Sequence, residues 1–417
     1  MLPKLRLRIL RNNRLAMIAA ENVMFSALFI IKCQEMGANM NIYNSSIIES
    51  PLDSTLQEDL ENTALSDDLP INNLQDSIIL VTGATGLVGM QMVKSLAAMN
   101  RLKGTNISIM ALVRNPDKAK NIYGDLADRG DITFVKADLN DKEGIITAVE
   151  SEFEKIKADG KNDAPFYIIH GAAVTASKTM VEKPVETIDT AINGTKNMLE
   201  VARKLGVNSF VYISSMEVYG SFTEATYVTE DVMGYIDPLV VRSNYQLTKR
   251  MCENMCIAYG KEFDIPVKIA RLSQTFGAGI LPGENRVFAQ FARSVMNNQD
   301  IVLHTKGLSE GNYCYTADTI RGLLTILIKG ENSNAYNISN EETHTTIAGM
   351  AKFASEQLAG GKIKVIFDIP EDNKFGYAAD TKMKLSNKKL KALGWEPCYS
   401  LEDAYRRMME SMKQQGI

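Results

Sequence analysis

The chain has 417 residues, 45% of them hydrophobic and 23% charged, with a net charge of −4. That length accommodates one large domain or two ordinary ones, and the composition is that of a soluble globular protein. The charge balance offers no basic field for nucleic acid, and five scattered cysteines, an odd number, make no disulfide framework.

The first residues carry Lys4, Arg6, Arg8, Arg11 and Arg14 ahead of an apolar patch over 23–31. Glu21 and Asn22 interrupt the hydrophobicity, the run is too short to span a bilayer, and no small-residue cleavage site follows. The favoured reading starts translation at Met40, with no membrane association expected. Residues 49–69 are acidic and turn-rich, so a solvated arm is expected there. Together, 1–75 read as an N-terminal extension.

Six apolar runs then read as strands, at 78–81, 107–113, 132–136, 166–170, 210–214 and 267–271. Helical stretches between them include 90–99, 142–157, 185–205 and 245–263. This alternation predicts an α/β fold. Over 76–275 it is a Rossmann-type doubly wound parallel sheet with ligands beyond the carboxyl ends of its strands. After Thr275 the rhythm changes at Gly277, Gly279, Pro282 and Gly283. Residues 276–417 read mainly as a smaller substrate domain, with some exchange of segments between the two.

Between the first strand and its helix stands Thr82-Gly83-Ala84-Thr85-Gly86-Leu87-Val88-Gly89. Gly83 permits the tight turn, Gly86 the close approach of a pyrophosphate, and Gly89 the packing of helix on strand. The free N–H groups of Leu87 and Val88 then face the phosphates. Gly83, Thr85, Gly86, Leu87, Val88 and Gly89 are therefore expected to bind a nucleotide cofactor. Ala84 stands where the commonest fingerprint has a second glycine. Arg114-Asn115 ends the second strand, where NAD enzymes commonly place an acid. An arginine suits the 2′-phosphate of NADP; stacked on adenine it is compatible with NAD. The cofactor is written NAD(P), with a lean to the phosphate.

Tyr245 and Lys249 share a helix face at i and i+4. An ammonium beside a phenol is expected to lower its pKa toward neutrality, so that it takes a proton from a sugar hydroxyl. Ser214-Ser215 ends the fifth strand and brings a hydroxyl to the same oxygen. Cys252 and Cys256, one turn apart without His or Cys neighbours, read as packed thiols, and no metal site is expected. His170 reads either as the cofactor floor or as a structural histidine, and Arg271 and Arg286 either as diphosphate ligands or as ion-pair members.

With glycine turn, strand-end serine and Tyr/Lys helix in this order, the chain resembles the extended short-chain dehydrogenase/reductases, from about Ser77 to the C-terminus. These are the nucleotide-sugar epimerases and dehydratases. The resemblance includes Asp138-Leu139, His170-Gly171-Ala172-Ala173, Val218-Tyr219-Gly220, Arg271 to Gly277 and Leu393-Gly394-Trp395-Glu396-Pro397. It implies that Tyr245 is the base, Lys249 its partner and Ser215 a ligand of the substrate hydroxyl. It implies Asp138 and Leu139 near the adenine, Ala172 and Ala173 in the cofactor pocket, and Gln274 and Arg286 at the substrate. Arg242-Ser243-Asn244-Tyr245 and Ser215-Met216-Glu217-Val218-Tyr219-Gly220 are similar to UDP-glucuronate decarboxylases. Glu217 is then expected to move a proton once C4 of the sugar is a ketone; a turn cap or a surface pair is the blander reading.

Two departures bear on the reaction. Met216 stands where 4,6-dehydratases carry an aspartate, and a thioether cannot donate that proton. Gly311 stands where decarboxylases carry an arginine. Epimerisation beside a transient 4-ketone is the first expectation and UDP-glucuronate decarboxylation the nearest rival. A cofactor-sensing protein without catalysis is a third, set against the intact Ser/Tyr/Lys trio. A nucleotide-sugar substrate, surface-polysaccharide precursors as product class, a cytoplasmic location and a homodimer through the 185–205 and 245–263 helices complete the expectations.

Overall fold

The computed structural model describes residues 47–370 and 380–417. The cationic and apolar opening, Cys33 and the proposed start at Met40 lie outside the described residues. The sheet has seven strands: β1 (Ile78–Thr82), β2 (Ser108–Val113), β3 (Ile132–Lys136), β4 (Phe166–His170), β5 (Ser209–Ser215), β6 (Val267–Leu272) and β7 (Asn334–Ile338). All pair in parallel, in the order β7-β6-β5-β4-β1-β2-β3. This is the expected Rossmann-type sheet. Its order reverses between β1 and β4, which opens a crevice above their carboxyl ends.

The helices in chain order are α1 (Ser54–Ala64), α2 (Leu87–Lys103), α3 (Pro116–Tyr123), α4 (Lys142–Ala158), α5 (Ser177–Glu182), α6 (Pro184–Leu205), α7 (Asn244–Phe263), α8 (Val287–Met296), α9 (Thr316–Lys329), α10 (Ile347–Phe353), α11 (Lys388–Lys391) and α12 (Leu401–Gln415). Side chains alternate across each strand, so both sheet faces must be covered. Ile79 and Val81 of β1 pack with Leu96 of α2 and Leu323 of α9. Ile78 and Leu80 pack on the other face with Val149 of α4, Leu199 of α6 and Cys252 of α7. Each buried aliphatic side chain contributes about 1.5–3 kcal/mol, so the two faces fix the strand register. None of the helices among the described residues is long and apolar enough to cross a membrane.

Two expectations are corrected. The seventh strand was not foreseen, because Asn334 and Asn337 interrupt the apolar run in Asn-Ala-Tyr-Asn-Ile. Tyr336 and Ile338 are nevertheless buried, and α9 and β7 return the chain from the 276–417 region to the sheet edge. A separate apolar cluster in that region joins Phe276, Phe288, Phe291, Tyr313 and Tyr405.

The acidic segment is not a solvated arm. Leu56 and Leu60 of α1 are buried in the core, and so are Glu49 and Asp59. Glu49 lies 2.7 Å from Arg101 and 2.9 Å from Arg129. Burial alone would raise its pKa, but hydrogen bonds from Arg101 and Gln57 and both arginine charges hold it below the usual range. Asp59 pairs with Arg407 at 2.6 Å and accepts hydrogen bonds from Tyr315 and Tyr399. The acids are inside because their cations arrive from distant parts of the chain, which local composition does not reveal.

His170, at the end of β4, is buried and pins the crevice floor. Its Nδ1 lies 2.8 Å from the Thr82 hydroxyl and its Nε2 3.3 Å from that of Thr195. Thr82 Oγ1 also accepts from Gly171 N at 3.2 Å and Ala172 N at 3.1 Å, which leaves its own proton for Nδ1. His170 is thus a structural histidine. Burial first, and the Lys249 charge second, push its pKa down to about 3. The folded value is below the unfolded one, so this stabilisation is present at neutral pH and is lost as pH falls from about 6.5 toward 3. In urea unfolding, the unsubstituted protein should lose about 2 kcal/mol more between pH 7 and pH 5 than the His170→Asn variant. Equal losses would remove His170 from the acid response.

Candidate active site

β1 runs into Gly83, whose φ of +73° is a conformation that side chains rarely adopt. A Cβ there would stand 3.0 Å from Ala172 N, and one at Gly89 only 2.2 Å from Gly83 O. Both glycines are therefore required by the turn itself. Gly86 differs: its Cβ would meet nothing closer than Gly83 O at 3.4 Å. It caps α2 without a side-chain hydrogen bond, and the N–H groups of Leu87 and Val88 have no acceptor among the described residues. A bare backbone before open helix N–H groups fits a pyrophosphate. Ala84 is buried, and its carbonyl accepts from the Tyr123 hydroxyl at 2.7 Å.

The neighbouring strand ends complete this rim. Arg114 ends β2, is exposed, and has no hydrogen bond or ion pair among the described residues. Asn115 is occupied in capping α3 through Lys118 N. Asp138 follows β3, exposed, with its carboxylate accepting from Asn140 N at 2.9 Å. Leu139 is buried, and its carbonyl accepts from Asn197 Nδ2 at 2.7 Å. Ala172 and Ala173 follow β4, half-buried beside the glycine turn, and Thr85 is half-buried within it.

On the other side of the reversal, β5 ends at Ser215 and α7 begins at Asn244. The Ser215 side chain lies near enough to the Tyr245 phenol to act on it, and its Oγ accepts from Glu217 N at 3.2 Å. Lys249 lies one turn along α7, buried, with Nζ donating to Ile213 O at 2.7 Å. The Lys249 ammonium is 5.8 Å from the centre of the Tyr245 ring and 4.6 Å from that of Tyr212. The structure thus brings Ser215, Tyr245 and Lys249 together.

Their electrostatics differ from the expectation. The Tyr245 phenol is pushed up, not down, by burial first and by the Glu217 charge second. The Ser215 hydroxyl and the charges of Arg242 and Arg286 oppose this rise. Lys249 is committed to a backbone carbonyl, and burial lowers its own pKa to about 8. A two-residue reading of the Tyr/Lys pair omitted the desolvation of both groups.

Glu217 lies in a 3₁₀ turn, Met216–Tyr219. It is half-buried and pairs with Arg242 at 3.3 Å, rather than with a surface lysine. Arg250 of α7 donates to Val218 O at 2.7 Å and Gly234 O at 2.9 Å, and so holds the backbone of that turn. Met216 points into an apolar cluster with Val228, Met383 and Leu385. A Cβ at Gly311 would approach Met216 Cε at 3.9 Å. The two departures from the family pattern therefore adjoin in space.

Arg271 is buried, 2.7 Å from Glu253 and 3.1 Å from the Tyr219 hydroxyl, so it belongs to the core ion pair. Arg286 is half-exposed, pairs with Glu284 at 2.6 Å and lies over the Phe288 ring; its charge reaches Tyr245. Gln274 is half-buried, and its side chain has no hydrogen-bond partner among the described residues. Cys252 and Cys256 are buried thiols, the first donating to Ala191 O. Sequence reasoning gave no role to Arg242, Arg250 or Glu253. Spacing held a signal for the last, since 245, 249 and 253 recur every fourth residue on one helix face.

The model of the NAD dependent epimerase/dehydratase family matches residues 79–339. UDP-glucuronic acid decarboxylase 1 of Danio rerio is 28% identical over 243 residues, 58% of this chain and 56% of that protein. UDP-glucuronic acid decarboxylase 6 of Arabidopsis thaliana is 29% identical over 231 residues, 55% of this chain and 64% of that protein. The matched stretch thus spans little more than half the length of these curated relatives. The solved UDP-glucuronic acid 4-epimerase of Bacillus cereus, a complex with UDP-glucuronic acid and NAD, superposes with a TM-score of 0.63 at 23% identity. That superposition covers 81% of this chain and 99% of the epimerase, and it is a likeness of fold. The glycine turn, the strand-end serine and the Tyr/Lys helix all fall inside the matched residues, and the chain belongs to the NAD dependent epimerase/dehydratase family.

Proposed function

We propose that the chain is an NAD(P)-dependent enzyme acting on a nucleotide-activated sugar through a transient 4-ketone, with epimerisation beside the ketone as its net reaction. The observation that carries this reading is the placing of Tyr245 beside Ser215 at the carboxyl edge of the sheet, with Lys249 one turn along the same helix and its ammonium 5.8 Å from the centre of the Tyr245 ring. Tyr245 takes the proton of the 4-hydroxyl while Ser215 holds the same oxygen. When bound, the nicotinamide supplies acceptance and return of the C4 hydride. Glu217 takes a proton from a carbon beside the ketone, which the carbonyl has acidified; water delivers a proton to the other face of the enolate, and Glu217 gives its own up to solvent. Arg286 and Gln274 are assigned to the nucleotide-sugar. Epimerisation is preferred to dehydration because Met216 offers no proton to a leaving hydroxyl.

The relatives' names favour a second reading, UDP-glucuronate decarboxylation. Against it, position 311 offers no cation, and the space beside its Cα opens on the Met216 thioether. Release of carbon dioxide from UDP-glucuronic acid would decide for the decarboxylase. A non-catalytic cofactor sensor is disfavoured by the intact trio. We also assign NADP as the preferred cofactor, on the exposed, unpaired Arg114. We place the enzyme in the cytoplasm, with exposed Val185 and Ile188 of α6 and Met251 of α7 at a homodimer contact.

Two outcomes test the site. Tyr245→Phe should lower sugar turnover by about a thousandfold, the scale of lost acid–base catalysis, while cofactor affinity by calorimetry stays unchanged. Retained turnover would remove Tyr245 from the mechanism. Arg114→Ala should weaken NADP binding about tenfold or more, one charge-assisted contact being worth about 1.5–3 kcal/mol, and leave NAD binding nearly unchanged. Equal effects on both cofactors would reject the 2′-phosphate assignment. A panel of UDP-, CDP-, GDP- and dTDP-sugars followed by NMR in deuterated water identifies the substrate and the carbon that exchanges.

A further inference from the structure

Glu217 is held from two directions by one helix and its lead-in. Arg250 of α7 takes the backbone of the 216–219 turn through Val218 O and, at 3.4 Å, Tyr219 O. Arg242 stands in the 3₁₀ turn Val241–Ser243 that leads into α7, three residues before Tyr245. It takes the carboxylate: Nη2 lies 3.3 Å from Oε1 and Nη1 3.3 Å from Oε2. No other cation lies within ion-pair distance of Glu217 among the described residues. The Arg242 guanidinium carbon is also 5.9 Å from the centre of the Tyr245 ring. Glu217, Arg242 and Tyr245 therefore form one charged group, with the half-exposed Arg286 a further cation that acts on the phenol. The guanidinium fork fixes the direction in which the carboxylate points.

We propose that Arg242 is the positioning residue for Glu217, holding its carboxylate in the pocket shared with Tyr245 so that it acts on the carbon beside the ketone. The inference rests on the reading of Glu217 as the base of that step. In it the C–H bond breaks, its electron pair moves into the enolate and the proton goes to a Glu217 oxygen; water then delivers a proton to the other face of that carbon, and Glu217 gives its own proton up to solvent. Arg242 takes no proton. Losing it should slow this proton transfer more than it slows oxidation at C4.

The test uses the full chain loaded with cofactor, its Arg242→Met, Arg242→Lys and Glu217→Gln variants, and UDP-glucuronic acid as probe. Arg242 is about one-third exposed, so its replacement leaves the core untouched. In Arg242→Met, deuterium uptake from solvent into the sugar should fall at least about tenfold, the scale of one lost charged contact. The burst of reduced cofactor at 340 nm should fall by a clearly smaller factor than the uptake, and Arg242→Lys should recover part of the uptake. Without any sugar, a crystal structure of Arg242→Met should show the Glu217 carboxylate turned away from its place in the unsubstituted protein. That arm decides the matter if UDP-glucuronic acid is not turned over. An unmoved carboxylate, or full deuterium uptake in Arg242→Met when Glu217→Gln has none, overturns the role of Arg242 alone. Full uptake in Glu217→Gln overturns the reading of Glu217 itself.

Discussion

The geometry of the site depends on a buried ion pair beneath it. Glu253 lies on the same face of α7 as Tyr245 and Lys249, four and eight residues on. It accepts from Arg271 Nη2 of β6 at 2.7 Å and from Ser214 Oγ of β5 at 2.5 Å. One carboxylate therefore ties the helix to the ends of two neighbouring strands and sets its rotation and height against them. Arg271 extends the tie through the Tyr219 hydroxyl, which donates to Asn337 Oδ1 of β7 at 2.6 Å. Removing one member of such a pair typically costs about 3–5 kcal/mol, because the other charge is left buried and alone. The pair does not touch the chemistry. It decides whether the phenol meets Ser215, since a helix rotated by one residue carries Tyr245 about 100° away.

What was legible in the sequence was local. Gly83 and Gly89 are forced by contacts within a few residues or across one strand pair, and Tyr245 and Lys249 by helical spacing. These signals survive in a single chain because geometry over short separations is nearly fixed. The charged partners were not legible. Glu49 meets Arg129 across 80 residues, Asp59 meets Arg407 across 348 and Glu217 meets Arg242 across 25. Nothing in local spacing joins them, so an acidic stretch read as solvated is inside the molecule. β7 was missed for a related reason. As an edge strand it tolerates Asn334, and the Oδ1 and backbone N–H of the buried Asn337 meet Tyr219 and Glu230, partners that only the fold supplies.

Substrate choice is separated from the scaffold in the same way. In the proposed reaction the glycine turn and the Tyr/Lys helix act at C4, and the 216–219 turn and the strand at Glu310–Gly311 are assigned to the rest of the sugar. There this chain replaces two expected polar groups by a thioether and a hydrogen atom, side by side. A paired change of this kind removes charge from one wall of the pocket without disturbing the base. Specificity built by deleting polar groups rejects substrates that need them, because a carboxylate or leaving hydroxyl would be left unpaired there.

The remaining charges must then make a buried phenol basic enough to work. Burial and Glu217 both favour its protonated form. Against them stand the Ser215 hydroxyl, Arg242 and Arg286. Arg242 bears on both sides of this balance, since every part of its charge that screens Glu217 also relieves the phenol. Arg286 is already engaged by Glu284, so its help depends on how that pair is arranged. Lys249, with its pKa lowered to about 8, is a cation that can be lost at mildly alkaline pH. In the proposed reaction the site combines one acid acting as a carboxylate with one phenol acting as a base. Two like charges so close require a cation between them, and the guanidinium at 242 stands against both.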